Sequence, residues 1–116
     1  MIKITLVRDV QGHLTQFTVS GHAYYDDPGK DIVCAGVSAV SIGAVNAIEK
    51  LTGLVPHTEI TEQSGLLKVI APNSEDEGRN AQVQLLLEGM VVALESIAQE
   101  YGKFVKIKHT FSGKGG

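Results

Sequence analysis

The sequence predicts an α+β fold: a two-layer sandwich in the order ββαββαβ, with a mostly antiparallel sheet and two helices on one face. Three observations carry this expectation. Alternating segments flank turn signals at Gln11-Gly12 and at Gln63-Ser64-Gly65 and read as two β-hairpins. Two long segments, about 32–52 and about 77–101, carry helical patterns, and a last alternating segment, 103–111, supplies a fifth strand. Hairpins interrupted by helices place both helices on one side of a single sheet. Such a layering leaves the other sheet face open, and a homodimer is the simplest cover for it.

Each element has a local reason. In 2–8, Ile2, Ile4 and Leu6 share a face. In 13–20, Thr15, Phe17 and Val19 do the same, and Gly21 ends the strand. Residues 22–30 have no core period and contain Pro28-Gly29, a turn signal. Asp31 is placed to cap the first helix through its carboxylate. That helix is apolar all round, with no charge from Ile32 to Ile48, so it reads as buried; its many Ala, Gly and Ser residues suit a protein core better than lipid. Gly36 and Gly43, two turns apart, are expected to allow close packing within the monomer. Residues 54–61 and 66–71 form the second hairpin, and Pro56 assigns its first strand to an edge. Ser74-Glu75-Asp76-Glu77 is a capping-box pattern for the second helix, whose core stripe is Val83, Leu87, Met90, Leu94, Ile97 and Tyr101. Gly102 stands at the C′ position. In the last strand Val105, Ile107, His109 and Phe111 share a face opposite Lys106 and Lys108.

Composition narrows the function. The chain has 116 residues, 43% hydrophobic and 20% charged, enough for one packed core and too apolar for a disordered tail. We expect one domain over 1–112 and a flexible Gly-rich tail over 113–116. A net charge of −3 gives no global attraction to nucleic acid or anionic lipid. The single cysteine, Cys34, excludes an internal disulfide and any multi-cysteine metal site. No signal-peptide pattern opens the chain, so it reads as cytoplasmic. Neither a phosphate-binding glycine loop nor a recognised metal-ligand spacing is present, and no cofactor is expected.

The chemistry concentrates in Gly21-His22-Ala23 and Asp31-Ile32-Val33-Cys34-Ala35. With Asp31 as the cap, Cys34 is the third helical residue. Unpaired N–H groups and the helix dipole would then favour its thiolate and hold an oxyanion. His22, at the end of a strand and joined to the helix by one loop, is the candidate base. A lone cysteine is more often an inert core residue, and position and His22 weigh against that here. Asp31 has two available roles, capping the helix or orienting His22. Ser38, one turn beyond Cys34, can hydrogen-bond near the site or simply aid packing. Tyr24 and Tyr25 line a groove or anchor their loop. Lys103, Lys106, Lys108 and Lys114 form a modest basic patch, suited to RNA, to an acidic partner, or to edge protection.

These paired motifs, followed by Val37-Ser38, resemble the Prp family of bacterial ribosomal-processing cysteine proteases over the whole chain. The resemblance implies a cytoplasmic endopeptidase that removes a short apolar N-terminal extension from a large-subunit ribosomal protein precursor, cleaving after an aromatic residue. It implies Cys34 as nucleophile and His22 as base, with Asp31 and Ser38 in support. Gly21 would be the hinge of a substrate loop that includes Ala23, Tyr24 and Tyr25. It also implies a homodimer, with neither membrane nor direct nucleic acid required. Rival readings are a non-catalytic ribosome-assembly module, a redox-sensing thiol and a different acyl-transfer activity.

Overall fold

The computed structural model describes residues 1–21, 28–61 and 65–112, with the side chains of 28–31 outside that description. The expected tail at 113–116 and the turn at Gln63-Ser64 therefore lie outside the described residues. The strands are β1 (Ile2–Arg8), β2 (Leu14–Ser20), β3 (His57–Thr61), β4 (Leu66–Ile70) and β5 (Val105–Phe111). The helices are α1 (Pro28–Thr52) and α2 (Glu77–Glu100), which gives the expected order. The sheet runs β3-β4-β2-β1-β5. It is mixed: β5 lies parallel to β1, and the other three pairings are antiparallel. As Pro56 suggested, β3 is an edge strand.

The core is built from rows of side chains that cross the strands on one face. Leu6, Phe17 and Val69 stand in register, as do Ile4, Val19 and Leu67, and all six are buried. Each such burial stabilises the fold by roughly 1.5–3 kcal/mol relative to exposure. Val33, Val37 and Ile48 of α1 and Val83, Leu87 and Leu94 of α2 close this face as one cluster. Both helices are long and apolar enough to cross a bilayer by length and composition. In this fold their inward residues pack against the sheet.

A bulge corrects one detail of the sequence reading. Val7 pairs with Gln16 but Arg8 pairs with Leu14, so Thr15 is the extra residue and Leu14, not Thr15, turns into the core. The Thr15 hydroxyl instead donates to the Val7 carbonyl at 3.2 Å. The turn beyond it is fixed by side chains. Asp9 accepts from the Gln11 and His13 N–H groups, at 2.9 and 3.0 Å, and Gly12 takes φ +88°. Burial alone would raise the Asp9 carboxyl, but those N–H donors outweigh it and hold the group below its usual range. The Arg8 guanidinium reaches the Gly12 carbonyl and ion-pairs with Glu88 of α2, one of its bonds being 3.0 Å. That hydrogen-bonded guanidinium lowers the Glu88 carboxyl despite partial burial. Gln84 clamps both the N–H and the carbonyl of Leu14, at 2.8 and 2.9 Å.

Three end signals differ from expectation. α1 starts at Pro28, so Asp31 lies in its first turn and is not its cap. Proline suits the first helical position because its missing N–H would be unpaired there anyway. The cap of α2 is Asp76, which accepts from Arg79 N–H at 3.1 Å; Ser74 braces the preceding turn, its hydroxyl accepting from the Asp76 N–H at 3.1 Å. At the other end Tyr101 caps α2, and Gly102 is not among the positive-φ glycines that a left-handed C′ residue would join. Of the two α1 glycines, Gly36 faces α2, where a Cβ would lie 3.8 Å from Ile97, while Gly43 opens on free space.

The open sheet face is largely polar. Its inward and outward residues alternate; the outward set on β1, β2 and β5 includes Lys3, Thr5, Gln16, Thr18, Ser20, Lys106, Lys108 and Thr110, with Val7 on β1 and Leu66 and Ile70 on β4 as apolar members. That polarity suits water. The helical layer also exposes apolar residues, Ile32 and Ile42 of α1 and Leu85 and Val92 of α2 among them.

Candidate active site

Topology gathers the site at one end of the sheet. β2 ends at Ser20, Gly21 follows, and the chain returns as α1, so Cys34 lies towards the Ser20 end of β2. Gly21 is fixed there by two constraints. Its φ is +84°, and a Cβ on it would stand 2.2 Å from the Met1 carbonyl oxygen. Only glycine permits both the left-handed backbone and that approach. His22, the next residue, lies outside the described residues, as do Ala23, Tyr24, Tyr25 and the side chain of Asp31.

Cys34 is half-buried and packs against the hydrophobic core. Because α1 begins at Pro28, Cys34 is well inside the helix and not its third residue. The first-turn N–H groups and the strongest part of the helix dipole are therefore not beside its sulfur. The expected oxyanion site at the start of α1, adjacent to Cys34, goes with them.

Cys34, Ser38 and Ser41 recur at i, i+4 and i+7 and share one flank of α1. Gly36, two residues from Cys34, lies on the opposite flank against α2. The Cys34 flank thus looks away from α2. Ser38 is half-buried on this flank. The Ser41 hydroxyl is fully buried and has no hydrogen-bond partner among the described residues. An unpaired buried hydroxyl loses its hydration without compensation. Ser41→Ala is therefore expected to be neutral or to stabilise the fold by up to about 1 kcal/mol, read from the urea midpoint.

The sequence reading did not single out Ile60. It pairs with Leu67, which pairs with Val19, so it stands on the helix side of the sheet. Yet it is 66% exposed, because neither helix reaches over the edge strand. Its neighbour Thr61 pairs with Leu66, which places Ile60 near the same end as Ser20 and Cys34. The available signal was an apolar residue in the strand that Pro56 marks as an edge.

A cleft of about 600 Å³ lies elsewhere, lined by Asp9, His13, Leu14, Asn80 and Gln84. It sits at the Leu14 end of β2, the far end from Gly21. The Asp9, Asn80 and Gln84 side chains are already hydrogen-bonded within the protein. Proximity to the only thiol is the better guide, and the cleft is not assigned to catalysis. No cluster of three or more potential metal ligands occurs among the described residues. The loop carrying His22, Asp26 and Asp27 is outside them.

Comparison with known proteins decides what this arrangement belongs to. The family model described as cysteine protease Prp matches residues 1–106. The chain belongs to the Prp family. A relative named ribosomal processing cysteine protease Prp, from Bacillus subtilis (strain 168), is 42% identical over 101 residues, covering 87% of this chain and 90% of the relative. The crystal structure of the S. aureus Prp in complex with a substrate peptide superposes with a TM-score of 0.83 at 34% identity, covering 95% of this chain and 100% of that one. A second S. aureus Prp structure, with a covalently linked product peptide, gives 0.79 at 31% identity and the same coverage. This Prp-family chain is thus a cysteine protease, a peptide hydrolase, with the α+β fold of those structures. Cys34 is the one cysteine in its sequence.

Proposed function

We propose that this chain is a cytoplasmic endopeptidase that trims a short apolar N-terminal extension from a large-subunit ribosomal protein precursor, using Cys34 and His22. One observation carries the assignment of the nucleophile: a cysteine protease needs a reactive cysteine, and this sequence has only Cys34, half-buried at the Gly21 end of the sheet. The S. aureus relative with a covalently linked product peptide supports a covalent route.

The reaction follows thiol chemistry. His22 takes the thiol proton, and the Cys34 sulfur attacks the scissile carbonyl carbon. As the C–N bond breaks, His22 returns the proton to the departing amine, leaving a thioester. Water then attacks the thioester, His22 accepts its proton, and the acid product leaves as the sulfur is protonated. Because Cys34 lies well inside α1, His22 bears the activation without the help of first-turn N–H groups. The oxyanion donors belong to a segment other than that turn. Asp31 orients His22, a role freed by its loss of the capping position, and Ser38 supports Cys34 from the next turn. Tyr24 and Tyr25 hold the substrate on one side, and Ile60 offers an uncovered apolar floor on the other. The homodimer uses the exposed apolar residues of the helical layer, Ile32, Ile42, Leu85 and Val92.

The test is mass spectrometry of a peptide carrying an apolar, Phe-containing extension, incubated with the protein. We expect a single cut on the carboxyl side of phenylalanine. Replacing that phenylalanine by aspartate should slow the cut at least about a hundredfold, since an apolar pocket loses its contact and gains a buried charge. Equal cleavage of both peptides would overturn the proposed preference.

A further inference from the structure

We propose that the open face of the sheet binds the phosphate backbone of a nucleic-acid duplex through Lys3, Lys106 and Lys108. The inference goes beyond peptide cleavage and does not depend on it.

The observation is a set of uncompensated like charges. Lys3 of β1 and Lys106 of β5 are direct register partners, and Lys108 is partnered by Thr5. All three lysines point away from the helices, because Ile2, Ile4, Val105 and Ile107 alternate with them on the core side. Adjacent strands lie about 4.8 Å apart, so the Lys3–Lys106 pair is repulsive and works against folding. The same face shows the alternative: on β3 and β4, Glu59 stands opposite Lys68. Among the described residues no carboxylate forms an ion pair with Lys3, Lys106 or Lys108. Edge protection explains Lys106 and Lys108 on β5, but β1 is flanked on both sides, so Lys3 has no edge to guard.

The surroundings select the partner. Thr5, Thr18 and Ser20 lie on the same outward face, where their hydroxyls can donate to phosphate oxygens. Among the described residues the outward face of β1, β2 and β5 around these lysines carries no aromatic ring, and His57 stands on β3 at the far edge, so this half of the face favours a duplex over a single strand. A protein partner would want a buried aromatic or arginine anchor, which this half of the face does not offer. Glu77, Glu95 and Glu100 stand on α2, in the opposite layer from these lysines, while Glu59 of β3 shares the outward face at its far edge.

The experiment is fluorescence anisotropy of a labelled RNA duplex and, in a second arm, a DNA duplex, each of about 20 base pairs, with the full chain at about 50 and about 200 mM salt; tighter binding of one names the source of the phosphates. Three phosphate contacts predict an affinity loss of about fortyfold across that interval. Combined Lys3→Gln, Lys106→Gln and Lys108→Gln changes should weaken binding at least tenfold, while Lys50→Gln on α1 leaves it unchanged. Cleavage of a short peptide should be the same in all of these chains, which separates failure of this inference from failure of the protease reading. Lys108→Glu alone, checked by circular dichroism, serves if the triple variant does not fold, and should also weaken binding. No binding by the unaltered chain, or equal binding by the lysine variants, would overturn the proposal. So would polyglutamate that displaces the duplex at equal charge concentration, since the face would then suit an acidic polypeptide.

Discussion

A Cys34→Ala chain is expected to fold and to lose peptide cleavage by a factor of roughly ten thousand or more. The size follows from the chemistry: without the sulfur no thioester forms, and no second cysteine exists to replace it. The fold should survive because Cys34 is only half-buried and alanine preserves the helix. His22→Ala should cost nearly as much, and the double variant little more than either alone, since base and nucleophile act as one unit. The measurement is the initial rate on the Phe-containing peptide, followed by mass spectrometry, with urea unfolding as the control. Cleavage by Cys34→Ala at an unchanged rate would sink the assignment. A folded but inactive unaltered chain whose Cys34 oxidises reversibly would favour the redox reading.

Gly21→Ala should be the most damaging small substitution at the sheet end. The left-handed backbone at φ +84° costs an L-residue about 1–2 kcal/mol. The new Cβ would also stand 2.2 Å from the Met1 carbonyl oxygen, which is backbone and cannot swing aside. The neighbouring strand start is held by the Ile2 N–H donating to the Phe104 carbonyl at 2.8 Å, and Ile2 is fully buried. Moving it would disturb the β1–β5 pairing, so we expect a total loss of about 2–4 kcal/mol. The urea midpoint reads this directly. A pure hinge role for Gly21 predicts the opposite pattern: cleavage falls while the midpoint stays within about 0.5 kcal/mol of the unaltered chain.

Local patterns in the sequence were sufficient for the elements and their order. Alternation around Gln11-Gly12, the apolar period from Val83 to Leu94 and the Pro56 edge signal are interactions among near neighbours, and all reappear in the fold. The motif pair Gly21-His22-Ala23 and Asp31–Ala35 was sufficient for the family, because those residue types at that separation are chemically specific. Tertiary structure decided what depends on contacts between distant segments. The Arg8/Leu14 bulge turns Leu14 inward where strict alternation had chosen Thr15, because Gln84, seventy residues away, clamps both of its backbone groups. The start of α1 at Pro28 moved Cys34 away from the first turn and took the capping role from Asp31, since a helix boundary depends on where the preceding chain leaves it. Ile60 became a candidate contact only once neither helix was seen to cover β3. Lys3 and Lys106, over a hundred residues apart in sequence, became one charged pair only through the parallel register of β1 with β5. Near-neighbour chemistry sets what each segment can become; the charges and faces that segments present to one another exist only after the sheet is assembled.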